Sequence, residues 1–249
     1  MSELDIPKLP PDALALLDDP QLADLKYRGP GLARAGKVLE PSQPAKVGDS
    51  PFLILKTSAE YMRPSNVVWQ NPPSPRGMLG EGRGFPTLRS TRPHFTEDQP
   101  KPAELSHAWE YEGWLVASPQ FAATIRAFDP EAIETVEIEW VFADGQKLDG
   151  YVFLDVRRLL HAYDYRRSVV YVEIGEKGKY ISNLGTPRAL KPDLPANVHL
   201  FREAYWRHQV LVSRELAKAL TQALGQTRPR AARRDIYFED PARVGAVKF

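Results

Sequence analysis

Two glutamates, Glu137 and Glu139, stand two residues apart in TVEIEWVF, Thr135–Phe142. The alternation predicts a strand with Val136, Ile138, Trp140 and Phe142 on one face and both carboxylates on the other. Carboxylates side by side repel, and a basic partner would relieve that repulsion. Glu134 lies just before them, and Asp144 follows in the expected turn ADGQ, Ala143–Gln146. Glu134, Glu137, Glu139 and Asp144 are therefore the candidate contacts for a positively charged partner. Their surroundings are acidic: Glu104 to Asp144 contains nine acids and one base, Arg126. Arg202 to Arg234 reverses this, with eight bases and two acids, Glu203 and Glu215. The net charge is only +1, so the chain is polarised rather than charged. The opposite fields could attract the two stretches to each other. They could equally steer a charged partner, because complementary charge raises association rate more than affinity.

Other chemistry is sparse. The sequence has no cysteine, which excludes a disulfide framework, a cysteine nucleophile and thiolate metal sites. It also lacks G-x-S-x-G, a phosphate-binding P-loop and H-E-x-x-H. The five histidines, His94, His107, His161, His199 and His208, show no metal-ligand spacing and read as surface or packed residues. GEGRG, Gly80–Gly84, could form a nest of backbone N–H groups that holds an anion, although its proline-rich setting favours a plain loop. DVRRLLHAYDYRRS, Asp155–Ser168, gathers arginines that could hold a phosphate or carboxylate; the plainer reading is a solvated helix and loop. RPRAARR, Arg228–Arg234, is too short and too poor in aromatics to predict nucleic-acid binding. The expectation is no catalytic site, no metal and no cofactor.

The elements that must position these residues divide by texture. Sixteen of the 23 prolines fall in residues 1–110. Proline interrupts both helices and sheet ladders, so residues 1–109 should be loop-rich. Pro11–Tyr27 can form one or two short helices, and PFLILKTS, Pro51–Ser58, reads as a buried strand. Residues 110–249 carry denser strand signals: GYVFLDV, SVVYVEIG, NVHLFRE and DIYFED. The expected fold is α+β, with a mostly antiparallel or mixed sheet, a few short helices and one compact body from about residue 110. No apolar run approaches the roughly 20 residues of a membrane span, and the first residues lack a signal-peptide pattern, so a soluble cytoplasmic protein is expected.

One pattern is written twice. WLVASPQFAATI, Trp114–Ile125, aligns with VLVSRELAKALTQALG, Val210–Gly225, when Ser118 is set against Ser213. Phe121 then meets Leu216, Ala122 meets Ala217 and Ile125 meets Leu220. Each copy predicts a strand, a serine N-cap, an amphipathic helix and a following strand. Pro119 suits the first helical position, and Gly225 can terminate the second helix. Val212, Ser213, Leu216, Leu220, Phe238 and Glu239 carry a V-S-x-x-L-x-x-x-L helix followed by a strand with an aromatic and an acidic residue. In this the chain resembles bacterial polymorphic-toxin immunity proteins of the families numbered eleven and forty-three, formerly a domain of unknown function. The resemblance covers roughly residues 110–245 and brings no catalytic motif. It implies a protein that binds a cognate toxin, delivered by a secretion system such as type VI or by contact, and blocks it stoichiometrically. The alternative is a hydrolase that reverses the toxin's modification.

Overall fold

The computed structural model describes residues 8–29, 35–57, 67–72, 82–86, 88, 91–111, 114–225 and 236–243. Among them are three helices: α1 (Pro11–Leu16), α2 (Pro119–Phe128) and α3 (Arg214–Ala223). The described residues also form seventeen strands. The first nine are β1 (Gly36–Leu39), β2 (Phe52–Thr57), β3 (Val67–Trp69), β4 (His94–Glu97), β5 (Ala108–Tyr111), β6 (Trp114–Ala117), β7 (Ile133–Glu137), β8 (Glu139–Val141) and β9 (Val152–Val156). The rest are β10 (Leu159–Leu160), β11 (Tyr163–Asp164), β12 (Val170–Gly175), β13 (Gly178–Leu184), β14 (Ala189–Leu190), β15 (Leu200–Glu203), β16 (Val210–Ser213) and β17 (Ile236–Glu239). The fold is α+β, as the alternating strand signals predict.

The chain forms two compact units that interleave in sequence. The smaller takes residues 1–51, 161–195 and 239–245. In it β1, β12 and β13 make an antiparallel sheet, β11 pairs with β14, and α1 is followed by a single 3-10 turn, Pro20–Leu22. Pro20 splits the predicted helical stretch because its ring cannot sit in a helix interior.

The larger unit takes residues 52–160, 196–238 and 246–249 and holds both copies of the repeat. The first copy lies on a sheet of order β5-β6-β9-β7, the second on β10-β15-β16-β2-β17. One core joins them: Ala108, Leu115, Ala117 and Leu154 from the first sheet, Leu53, Leu55, Leu200 and Val212 from the second, with Phe121, Ile125, Leu216 and Leu220 from α2 and α3. The opposite face of the first sheet carries Trp109, Trp114 and Phe153 against an aromatic layer from β3-β4-β8, where Phe95 stacks on Trp140 at 4.8 Å.

The strand expected over Thr135–Phe142 is two strands. β7 pairs antiparallel with β9, whereas β8 pairs parallel with β4 in a different sheet. The buried Ile138 marks the break. Strict alternation records which side chains are buried, and it survives when a strand leaves one sheet for the next. The stretch Asp155–Ser168 contains no α-helix; it holds the end of β9, β10, β11 and one 3-10 turn, Tyr165–Arg167.

Candidate functional site

The repeat runs further upstream than the aligned sequences suggest. Ser118 Oγ accepts from Phe121 N–H at 3.2 Å, and Ser213 Oγ accepts from Leu216 N–H at 3.1 Å, so both serines cap their helices. Each also meets a histidine: His107 Nδ1 lies 3.2 Å from Ser118 Oγ, and His199 Nδ1 lies 2.9 Å from Ser213 Oγ. The backbone repeats this pairing, with Ser118 N–H donating to His107 O at 2.7 Å and Ser213 N–H to His199 O at 2.8 Å. Strand register extends it. Ala117 pairs with Ala108 and with Val152; Val212 pairs with Leu200 and with Leu53. Hence β5 matches β15, β6 matches β16, β9 matches β2, and β7 matches β17. The third strand of the second copy comes from the proline-rich beginning of the chain.

A serine beside a histidine is also the start of a nucleophile. Here the hydroxyl oxygen is taken up by a helix N–H in both copies. At Ser213 the Glu215 carboxylate lies 4.0 Å from the same Nδ1 that faces the serine, so it does not orient the ring from the far nitrogen as a triad requires. The arrangement is that of a helix cap used twice.

The four acidic candidates occupy different settings. Glu134 faces inward, with 18% of its side chain exposed; it pairs with Arg157 at 3.2 Å and accepts from Phe85 N–H at 3.3 Å. Glu137 has 79% of its side chain exposed, with Arg92 at 3.8 Å. Glu139 accepts from Lys147 at 2.8 Å, and this hydrogen bond, with the Lys147 charge, holds its carboxyl below the ordinary value. Asp144 closes its turn by accepting from Gln146 N–H at 3.0 Å and accepts from Lys101 N–H at 3.1 Å. Arg157, Arg92 and Lys147 thus stand beside Glu134, Glu137 and Glu139, and these three cations lie outside the Arg202–Arg234 stretch. The run Arg228–Arg234 lies outside the described residues.

Two arginines of Asp155–Ser168 go to different carboxylates. Arg157 goes to Glu134. Arg158 makes a two-pronged pair with Asp129, 3.0 Å from Nη2 to Oδ1, and also donates to Leu200 O at 3.2 Å. Burial pushes the Asp129 carboxyl up, but the Arg158 hydrogen bond, the His199 N–H and the Arg158 charge outweigh it and hold the carboxyl below the ordinary value.

The glycine-rich loop does bind an anion, and the anion belongs to the chain. Gly82 N–H donates to both oxygens of Asp155 at 3.0 Å, and Gly84 N–H donates to Oδ2 at 2.7 Å. Both glycines have positive φ, 87° and 73°. A Cβ on Gly82 would lie 2.6 Å from Leu159 Cδ2, and one on Gly84 would overlap the Arg157 guanidinium. Asp155 is fully buried and pairs with the buried Arg202, 3.1 Å from Nη2 and 3.2 Å from Nε. Arg202 then donates through Nη1 to Arg207 O at 2.7 Å. A chain of hydrogen bonds therefore runs from the glycine loop through Asp155 and Arg202 to the hairpin between β15 and β16. Sequence reading missed it because Asp155 was counted as part of an arginine-rich surface segment.

No curated protein is a significant match to this chain. The model of the immunity protein family Imm11 matches residues 38–241, most of the chain, and the chain belongs to that family.

Proposed function

We propose that this protein binds a cognate toxin in the cell that makes both and inhibits it as a stoichiometric complex, without turnover. Family membership carries the reading, because an immunity protein implies a toxin partner. The repeated serine–histidine pairs support inhibition over chemistry, since both are engaged in capping helices. On the acidic side, Glu137 is the leading contact for a basic toxin surface. It is the most exposed of the three paired candidates, and Arg92 lies 3.8 Å away, beyond hydrogen-bond distance. Glu139 and Asp144 flank it, and Glu134 supports the strand from within.

The test is association kinetics. Glu137→Lys combined with Glu139→Lys, in protein shown to be folded by circular dichroism, slows association with the cognate toxin. It also flattens the salt dependence of the on-rate. An unchanged on-rate at low salt removes this face from the interface.

A further inference from the structure

The duplication is longer than the serine-capped helices, and the strand pairings trace it. Serine to serine, 118 to 213, is 95 residues, and histidine to histidine, 107 to 199, is 92. Leu53 and Val152, which pair with the matched residues Val212 and Ala117, are 99 apart. Two further strands keep this spacing. β3 pairs antiparallel with β4 through Trp69 and Phe95; β11 pairs antiparallel with β14 through Tyr163 and Leu190, 94 and 95 residues later. The next contact also returns. Glu139 N–H donates to Pro93 O at 2.8 Å just after β7, and Arg188 N–H donates to Pro241 O at 2.9 Å just after β17. Each copy therefore runs in the same order: β2, β3, β4, β5, β6, α2 and β7 in the first, β9, β11, β14, β15, β16, α3 and β17 in the second.

Set in this order, the sheets are crossed. β9 opens the second copy but lies between β6 and β7 of the first, and β2 opens the first copy but lies between β16 and β17 of the second. Both strands are built for a central position. Leu53 and Leu55 from β2, with the equivalent Val152 and Leu154 from β9, pack into the one core that holds the apolar faces of α2 and α3. On the reverse face Ile54 and its equivalent Phe153 are buried too. A strand with neighbours on both sides and apolar residues on both faces leaves its sheet only by breaking two ladders and emptying core positions at once. Between protomers such an exchange is domain swapping, which ties two molecules together. Here both copies belong to one chain.

We infer that the protein is two whole copies of one repeat that clasp each other by exchanging their first strands, and that the clasp makes both sheets open in a single step. Neither copy completes its own sheet. Without β2, strands β16 and β17 lose their shared neighbour; without β9, so do β6 and β7. The surfaces that the two copies offer a partner are therefore present together or not at all.

The experiment uses the full chain with a protease recognition sequence inserted between Asp144 and Gly145, in the exposed turn that separates the copies. The cut protein is mixed with isotope-labelled cut protein, and the trading of halves is followed by native mass spectrometry. The pairing of β1 with β12 also spans the cut. Val172→Ala, at a buried position of β12, is therefore the comparison for Leu55→Ala in β2 and Leu154→Ala in β9. Halves of the parent stay unmixed for a day. The β2 and β9 variants trade halves about tenfold faster than Val172→Ala or more, because an emptied core position weakens a clasp strand. Parent halves that mix within minutes, or β2 and β9 variants no faster than Val172→Ala, overturn the clasp. Hydrogen exchange on the uncut wild type covers the case in which the insertion does not fold. Amides of β2 and β9 are protected to within about tenfold of each other, at the level of global unfolding. Exchange in β2 more than about tenfold faster than in β9 overturns the single step.

Discussion

Asp129 accepts from Arg158 and from the N–H groups of His199 and Leu200, and its carboxyl is held below the ordinary 3.8. A depressed carboxylate contributes stability that is fully present above its unfolded value and is lost as the pH falls through the folded one. Acid unfolding followed by tryptophan fluorescence should therefore show a loss below about pH 4 in the wild type. Asp129→Asn should be less stable at neutral pH and flatter across that acid window; an identical acid limb would show that Arg158 does not depend on this charge. The helix caps give a second expectation. Ser213→Ala should cost about 1 kcal/mol in urea denaturation, because Leu216 N–H loses its acceptor. Gly84→Ala should cost more than about 1 kcal/mol, since alanine at φ 73° is strained and its Cβ meets Arg157. A silent Gly84→Ala would mean that the loop rearranges and releases Asp155.

Elements form because local signals agree with what buries them. Ser118, Pro119 and the spacing of Phe121, Ala122 and Ile125 specify α2, and all three apolar residues are buried. Ser213, Leu216, Ala217 and Leu220 specify α3 in the same way, and Gly225 at φ 65° ends it. Phe121→Ala or Leu220→Ala should each cost about 2–5 kcal/mol by chemical denaturation, the range for emptying a large core position. A small effect for either would place that helix face in solvent. These helices were legible because caps and periodicity are local. The strand neighbours were not. Nothing in PFLILKTS reveals that β2 completes the second module as β9 completes the first, since pairing across more than 150 residues leaves no local trace. His107 and His199 were equally hidden. Each lies one strand away from its serine, and only the register of β5 on β6 and of β15 on β16 brings them together. The break at Ile138 escaped notice because a buried side chain looks the same in one sheet as in two.

At the scale of the molecule, several charges of the two stretches are met by partners outside them. Arg92, Lys147 and Arg157 serve Glu137, Glu139 and Glu134, while Arg202 turns inward to Asp155. The family was readable from a serine, a helix and a strand, whereas the partner-facing surface depends on which charges remain exposed after folding. No described helix is long and apolar enough to cross a membrane. On the proposed reading the protein acts by occupying its partner, which sets a limit that an enzyme does not share. One inhibitor molecule silences one toxin molecule, so protection should rise with immunity protein until the two are equal and then level off. This is measured by expressing the cognate toxin at a fixed level, titrating the immunity protein from an inducible promoter, and quantifying both by immunoblot against purified standards. Survival should track the ratio of the two proteins, with its midpoint near equivalence. Full protection at a small fraction of one immunity molecule per toxin would require turnover and would replace inhibition with catalysis.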